Sequence, residues 1–159
     1  MKVLKYTAAA LLVPAFAGTA AAQTATQSVS YEVQAINQVS VAGSPSLVIS
    51  TATAGSAPTS ASASGSYAIT TNETGKKITA QIDSDMPAGV TLTVSLAAPG
   101  GGTSAGAVVL STTPVDAVTS ISTVSQSGLS VGYGLSATVA AGVVPAGSRT
   151  VTYTITDGA

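Results

Sequence analysis

Residues 130–139 read SVGYGLSATV and residues 150–156 read TVTYTIT, and these two runs decide the fold class. In both runs an apolar or aromatic side chain occupies every second position, with Ser, Gly or Thr between. A period of two is typical of a β-strand with one buried and one solvated face. We predict that the two runs pair as a long antiparallel hairpin closed by residues 140–148.

Shorter runs with the same alternation precede this pair. Strands are predicted at residues 28–41, 47–53, 66–71, 77–83 and 90–96, with a short apolar strand at 107–112. Residues 66–71 and 77–83 predict a second hairpin, whereas residues 54–65 and 99–106 predict loops, the latter mobile. Residues 115–121 have apolar side chains three apart, which fits a helical turn or a short strand equally well.

This organisation predicts an all-β chain. Closely spaced short strands with Gly and Pro turns and no amphipathic helix are typical of an antiparallel β-sandwich. We expect an Ig-like or jelly-roll-like sandwich of about seven to nine strands.

The N-terminal 22 residues have the pattern of a secretory signal peptide. Lys2 and Lys5 precede the apolar run 8–17, and three alanines, residues 20–22, offer a cleavage site. We therefore predict a single domain over residues 23–159 that is exported to the cell surface or medium, or to the periplasm, with no transmembrane segment in the mature chain.

Composition excludes several classes of function. The chain has no histidine and no cysteine. Catalytic triads that contain histidine, metal sites with imidazole or thiolate ligands, and disulfides therefore cannot form. Only three of its five basic residues follow residue 22, and they make no basic patch, so nucleic acid is not an expected partner. The six acidic residues are scattered, and we expect the protein not to be an enzyme.

Asp83 and Asp85 form the one local acidic pair. Two aspartates two residues apart in a loop are suitable calcium ligands, which Asp116 or a carbonyl group would complete. The alternative is that Asp and Ser simply favour a turn here, since their side chains bond to nearby backbone groups. No other cofactor is expected.

The tyrosines and threonines of residues 23–159 suggest structural roles. Tyr31, Tyr67, Tyr133 and Tyr153 share the parity of the aliphatic residues in their strands, which predicts core positions with hydroxyls at the rim. The Thr-x-Thr runs could present a flat hydroxyl array, but threonine is also a common residue on a solvated strand face.

Residues 145–156 read PAGSRTVTYTIT. This end resembles the closing strand of spore-coat-U-type fimbrial proteins and of WxL-like domains. The resemblance implies an exported surface β-sandwich, and it assigns no functional residue.

These observations favour a non-catalytic structural or adhesive surface protein. The first predicted strand, residues 28–41, carries a single charge at Glu32, so its edge is poorly protected. We expect residues 23–33 to add to the sheet of a neighbouring copy, with Val29, Tyr31 and Val33 filling its groove and a filament or other homo-oligomer as the product. Two alternatives stay open: the strand closes its own sandwich in a monomer, or the protein is a calcium- or glycan-binding module that uses the loops 83–89 and 99–106.

Overall fold

The computed structural model describes residues 22–158. The predicted signal peptide, residues 1–22, therefore lies outside the described residues except for Ala22. The chain divides into two units after Glu32. In the first, residues 22–32 are exposed and form no regular secondary structure, whereas the second contains every strand among the described residues.

Residues 33–158 form nine strands and one turn of 3-10 helix, Val139–Ala141. The strands in chain order are β1 (Asn37–Ala42), β2 (Ala61–Thr71), β3 (Lys76–Ile82), β4 (Val90–Leu96), β5 (Thr103–Ser104), β6 (Val108–Val109), β7 (Val115–Ile121), β8 (Val124–Ala137) and β9 (Val151–Asp157). The predicted all-β class and strand number are confirmed. The segment 115–121, which the sequence left open, is a strand.

Two antiparallel sheets make up the sandwich. One has five strands in the order β1-β2-β8-β4-β6, and the other has four in the order β5-β7-β3-β9. The interior strands, each paired on both sides, are β2, β8 and β4 in the first sheet and β7 and β3 in the second. The edges are the two-residue strands β5 and β6 and the longer strands β1 and β9.

The core lies between the sheets, and both contribute to it. Alternate residues of β3 and β4 are buried, as the period-two pattern predicts. The largest fully buried side chains are those of Tyr67, Ile69, Ile78, Ile82, Leu96, Ile121, Val94, Val118 and Val131.

Both predicted hairpins are wrong. Strand β8 pairs with β2 and β4, whereas β9 pairs with β3 in the other sheet. Strands β2 and β3 likewise belong to different sheets, so residues 72–75 cross from one layer to the other instead of closing a hairpin. Alternation shows which face of a strand is buried. It does not show whether the next strand along the chain pairs beside it or lies in the opposite sheet.

Several predicted boundaries also change. Residues 47–53 form no strand, although Leu47 and Ile49 are half-buried as expected of inward positions. Strand β2 begins at Ala61, inside the predicted loop 54–65, and only Val108–Val109 of the run 107–112 pairs. Val139, predicted inward, is 74% exposed on the 3-10 turn.

Candidate assembly surface

The segment before β1 exposes several large apolar side chains. The predicted strand 28–41 is wrong at its N-terminal end, because β1 begins only at Asn37. Val29, Tyr31 and Val33 are 78%, 94% and 80% exposed, so the predicted core position of Tyr31 is wrong as well. The alternation is present, but residues 28–36 lie in no strand.

The end of this segment is fixed by one side chain. The amide group of Asn72 donates to the carbonyl oxygen of Gln34 at 2.8 Å, and its Oδ1 accepts from the backbone N–H of Ile36 at 2.8 Å. The backbone N–H of Asn72 also donates to the carbonyl oxygen of Ile36. Asn72 therefore sets where the chain enters β1.

Strand β9 offers an open edge of suitable length. Within residues 22–158 it pairs only with β3, and its inward side chains Val151, Tyr153 and Ile155 are half-buried against the core. These three lie two apart, which is the spacing of the exposed residues 29, 31 and 33. The outward residues of the strand are the threonines 152, 154 and 156. The strand contains no proline or lysine, which commonly protect edges.

Two tyrosines connect the sheets near this edge. The hydroxyl groups of Tyr133 on β8 and Tyr153 on β9 lie 2.8 Å apart. Burial, together with this contact, raises the pKa of Tyr153 well above its ordinary value. The prediction that these two rings pack against the core is confirmed.

A polar cluster lies at the start of β3. Lys76 is 9% exposed, and its Nζ contacts Glu73 Oε2 at 2.9 Å and the carboxylate of Asp157. The amide nitrogen of Asn37 donates to the same Glu73 oxygen, and the hydroxyl of buried Thr71 donates to Asn37 Oδ1 at 2.7 Å. The cluster therefore joins β1, the end of β2 and β3.

Hydrogen bonds set the charges of this cluster. The pKa of Lys76 is raised most by its hydrogen bond to Asp157 and next by its hydrogen bond to Glu73. The pKa of Glu73 is lowered most by the hydrogen bond that Asn37 donates to it and next by the one from Lys76. Lys76 likewise lowers the pKa of Asp157, so both carboxylates are ionised at neutral pH.

The pattern of the sequence does not predict this cluster. Asn37 and Glu73 are 36 residues apart, and nothing in the local pattern around either residue indicates the other. The one available signal is Lys76 itself, a charged residue whose position in the alternation of residues 76–82 is an inward one.

Asp83 and Asp85 lie in the loop between β3 and β4, and both are exposed. Each anchors a neighbouring segment, because Asp83 Oδ1 accepts from the backbone N–H of Thr150 and Asp85 Oδ1 from that of Thr112, both at 3.1 Å. Asp116 pairs with Lys77 at 3.0 Å. In the described part of the chain no three carboxylates come together, and calcium binding stays a prediction that a calcium titration of the melting temperature would test.

The outer face of the five-stranded sheet has a shallow, open depression. It is lined mainly by small and hydroxyl-bearing residues of β2, β4 and β8, among them Ser62, Ser64, Thr93, Ser95, Gly132 and Gly134. Such a surface has no clustered charge and does not point to a particular ligand.

No helix in the described part of the chain has the length and hydropathy needed to cross a membrane. Comparison of the chain with family models, with curated proteins and with solved structures finds no match.

Proposed function

We propose that the protein is an exported, non-catalytic structural subunit that assembles through β-strand addition, with residues 28–33 of one copy joining the sheet of the next at β9. The observation that carries the proposal is the exposure of three alternating apolar residues, Val29, Tyr31 and Val33, outside any strand. Exposed large apolar groups are a cost in solution unless a partner covers them.

The proposed acceptor is β9 because its geometry matches the donor. An added strand beside β9 would satisfy its free backbone groups and place its own inward residues next to Val151, Tyr153 and Ile155. Strands β5 and β6 offer two residues each, too few for a stable ladder. Strand β1 is the continuation of the donor segment in its own copy.

Export rests on the signal-peptide pattern of residues 1–22, and the absence of catalysis rests on composition. With no histidine or cysteine in the chain, the remaining polar groups are hydroxyls, carboxylates and a few basic side chains. The alternation of residues 28–33 provides the assembly element, and the likeness of residues 145–156 to fimbrial closing strands is in keeping with it.

Truncation and complementation test the proposal. Protein lacking residues 23–33 should fold, because those residues lie outside every strand. It should remain monomeric in size-exclusion chromatography, yet bind a labelled peptide of residues 23–36 at its vacant edge. The peptide with Val29, Tyr31 and Val33 all replaced by serine should fail to bind.

A matched control changes an exposed apolar residue elsewhere. Val143 is 99% exposed in the loop before β9, and Val143→Ser should leave assembly of the full mature chain unchanged. Equal binding of the native and serine-substituted peptides would refute the role of the three apolar residues.

A further inference from the structure

The polar cluster at the start of β3 has the arrangement of an amide-forming site. Glu73 Oε2 bonds both to Lys76 Nζ, at 2.9 Å, and to the amide nitrogen of Asn37. Two nitrogens that share one acceptor oxygen are at most two hydrogen-bond lengths apart. An amine, a primary amide and a carboxylate able to move a proton between them therefore lie together.

Thr71, which also belongs to the cluster, polarises the Asn37 amide. The Thr71 hydroxyl, in a residue only 3% exposed, donates to Asn37 Oδ1 at 2.7 Å. A donor placed on a carbonyl oxygen stabilises the negative charge that this oxygen acquires when a nucleophile adds to its carbon. The Thr71 hydroxyl oxygen accepts a hydrogen bond from the backbone N–H of Glu73, which fixes the direction of the hydroxyl.

We propose that Lys76 and Asn37 form an intramolecular amide cross-link, with Glu73 as the proton-transfer group. Glu73 accepts a proton from the Lys76 ammonium, and the neutral Nζ attacks Cγ of Asn37. The new Nζ–Cγ bond forms, Glu73 passes its proton to Nδ2, and the Cγ–Nδ2 bond breaks. The second proton that Nζ loses passes by way of Glu73 to the departing ammonia. A lysine ammonium and a primary amide become a secondary amide and an ammonium ion, so charge and atoms balance without an oxidant or a co-reactant.

The positions of the two carboxylates around Lys76 assign the proton transfer to Glu73. Asp157 and Glu73 together raise the pKa of Lys76, so the amine does not lose its proton unaided at neutral pH. Of the two carboxylates at Lys76 Nζ, Glu73 is the one that also bonds to the amide nitrogen of Asn37, so it can carry the proton from one nitrogen to the other. The cross-link would join β1 of one sheet to β3 of the other, in a chain that has no disulfide. It does not depend on assembly.

The intact mass of the purified mature protein tests the proposal. Under denaturing conditions the mass of residues 23–159 should be lower than the sequence mass by one ammonia, apart from any ammonia lost by cyclisation of the N-terminal Gln23, which the mass of the N-terminal peptide reports separately. A mass equal to that of the sequence would overturn the cross-link.

Peptide mapping identifies the bond. Cleavage after glutamate separates Asn37 from Lys76 in a linear chain, because Glu73 lies between them. Combined digestion with trypsin should leave residues 33–73 joined to residues 74–77, since a lysine in an amide bond is not cleaved. Loss of ammonia without this joined fragment, as in cyclisation of Asn37 alone, would also overturn the proposal.

Matched variants assign the roles. Lys76→Arg keeps the positive charge but lacks the nucleophile, and Glu73→Gln keeps the shape but lacks the base, so both should fold and retain full mass. Lys77→Arg, at the neighbouring lysine paired with Asp116, should still lose one ammonia. Circular dichroism verifies folding, and both cluster variants should melt below the cross-linked protein. Loss of ammonia in folded Glu73→Gln would contradict the role of the carboxylate.

Discussion

At the scale of single residues, Tyr67 combines full burial with an ionisable group. It is 2% exposed, and its hydroxyl donates to the carbonyl oxygen of Ala97. Burial raises its pKa from 10.0 to about 12, because the phenolate is poorly solvated inside the protein. The folded state therefore binds a proton that the unfolded state loses at a lower pH.

This shift predicts an alkaline loss of stability. The contribution of Tyr67 is fully present below its unfolded pKa of about 10, and it falls as the pH rises toward about 12. Tyr67→Phe should lower the free energy of unfolding by about 1 kcal/mol at neutral pH, through the lost hydrogen bond, and reduce the alkaline decline. Urea unfolding at a series of pH values measures both effects.

Tyr31→Phe is the control for this experiment. The ring of Tyr31 is 94% exposed, so the substitution should leave the free energy of unfolding unchanged. If Tyr67→Phe behaves like Tyr31→Phe, Tyr67 is not buried in solution as described here.

At the scale of elements, Gly65 of β2 lies against the backbone at the end of β1. A Cβ atom there would lie 2.8 Å from the carbonyl oxygen of Ala42, which is backbone and cannot rotate away. Gly65→Ala should therefore push β1 from its partner and lower the free energy of unfolding by about 1–3 kcal/mol, as overpacking usually does. Chemical denaturation measures the loss.

Gly147 provides the matched control, since a Cβ atom there would meet nothing within 4 Å. Gly147→Ala should change the free energy of unfolding by less than about 0.5 kcal/mol. Equal stability of the two alanine variants would contradict the pairing of β1 with β2.

Elements were predictable from the sequence where alternation alone decides the outcome. The strand Val90–Leu96 has the predicted bounds, and Val131 is inward as its parity requires. Pairing was not predictable, because it depends on which layer each strand enters. Residues 72–75 look like a hairpin turn but cross between the sheets, and residues 140–150 do the same.

The same distinction between alternation and pairing applies to the candidate assembly surface and to the polar cluster. Val29, Tyr31 and Val33 stand out in the sequence by their alternation, but alternation does not reveal that they lie outside every strand of residues 22–158. The cluster of Asn37, Glu73 and Lys76 depends on β1 and β3 meeting across the sandwich. Contacts between residues so far apart in sequence follow from topology, which a single sequence does not specify.

At the scale of the whole molecule, the described chain relies on packing and on its sheet ladders, since it has no cysteine. The proposed cross-link and the proposed strand addition act at the same place. Residues 28–33 lead directly into β1, and Asn37 is the first residue of that strand. In an assembly, β1 would carry the pulling force from the donated segment. A cross-link from Asn37 to Lys76 would join this strand to the opposite sheet.

The central claim is that one copy donates residues 28–33 to the next, and electron microscopy of the mature protein tests it most directly. Negatively stained samples over a range of concentrations should contain filaments, and protein lacking residues 23–33 should contain only single particles. Full-length mature protein that remains monomeric at every concentration would contradict the claim.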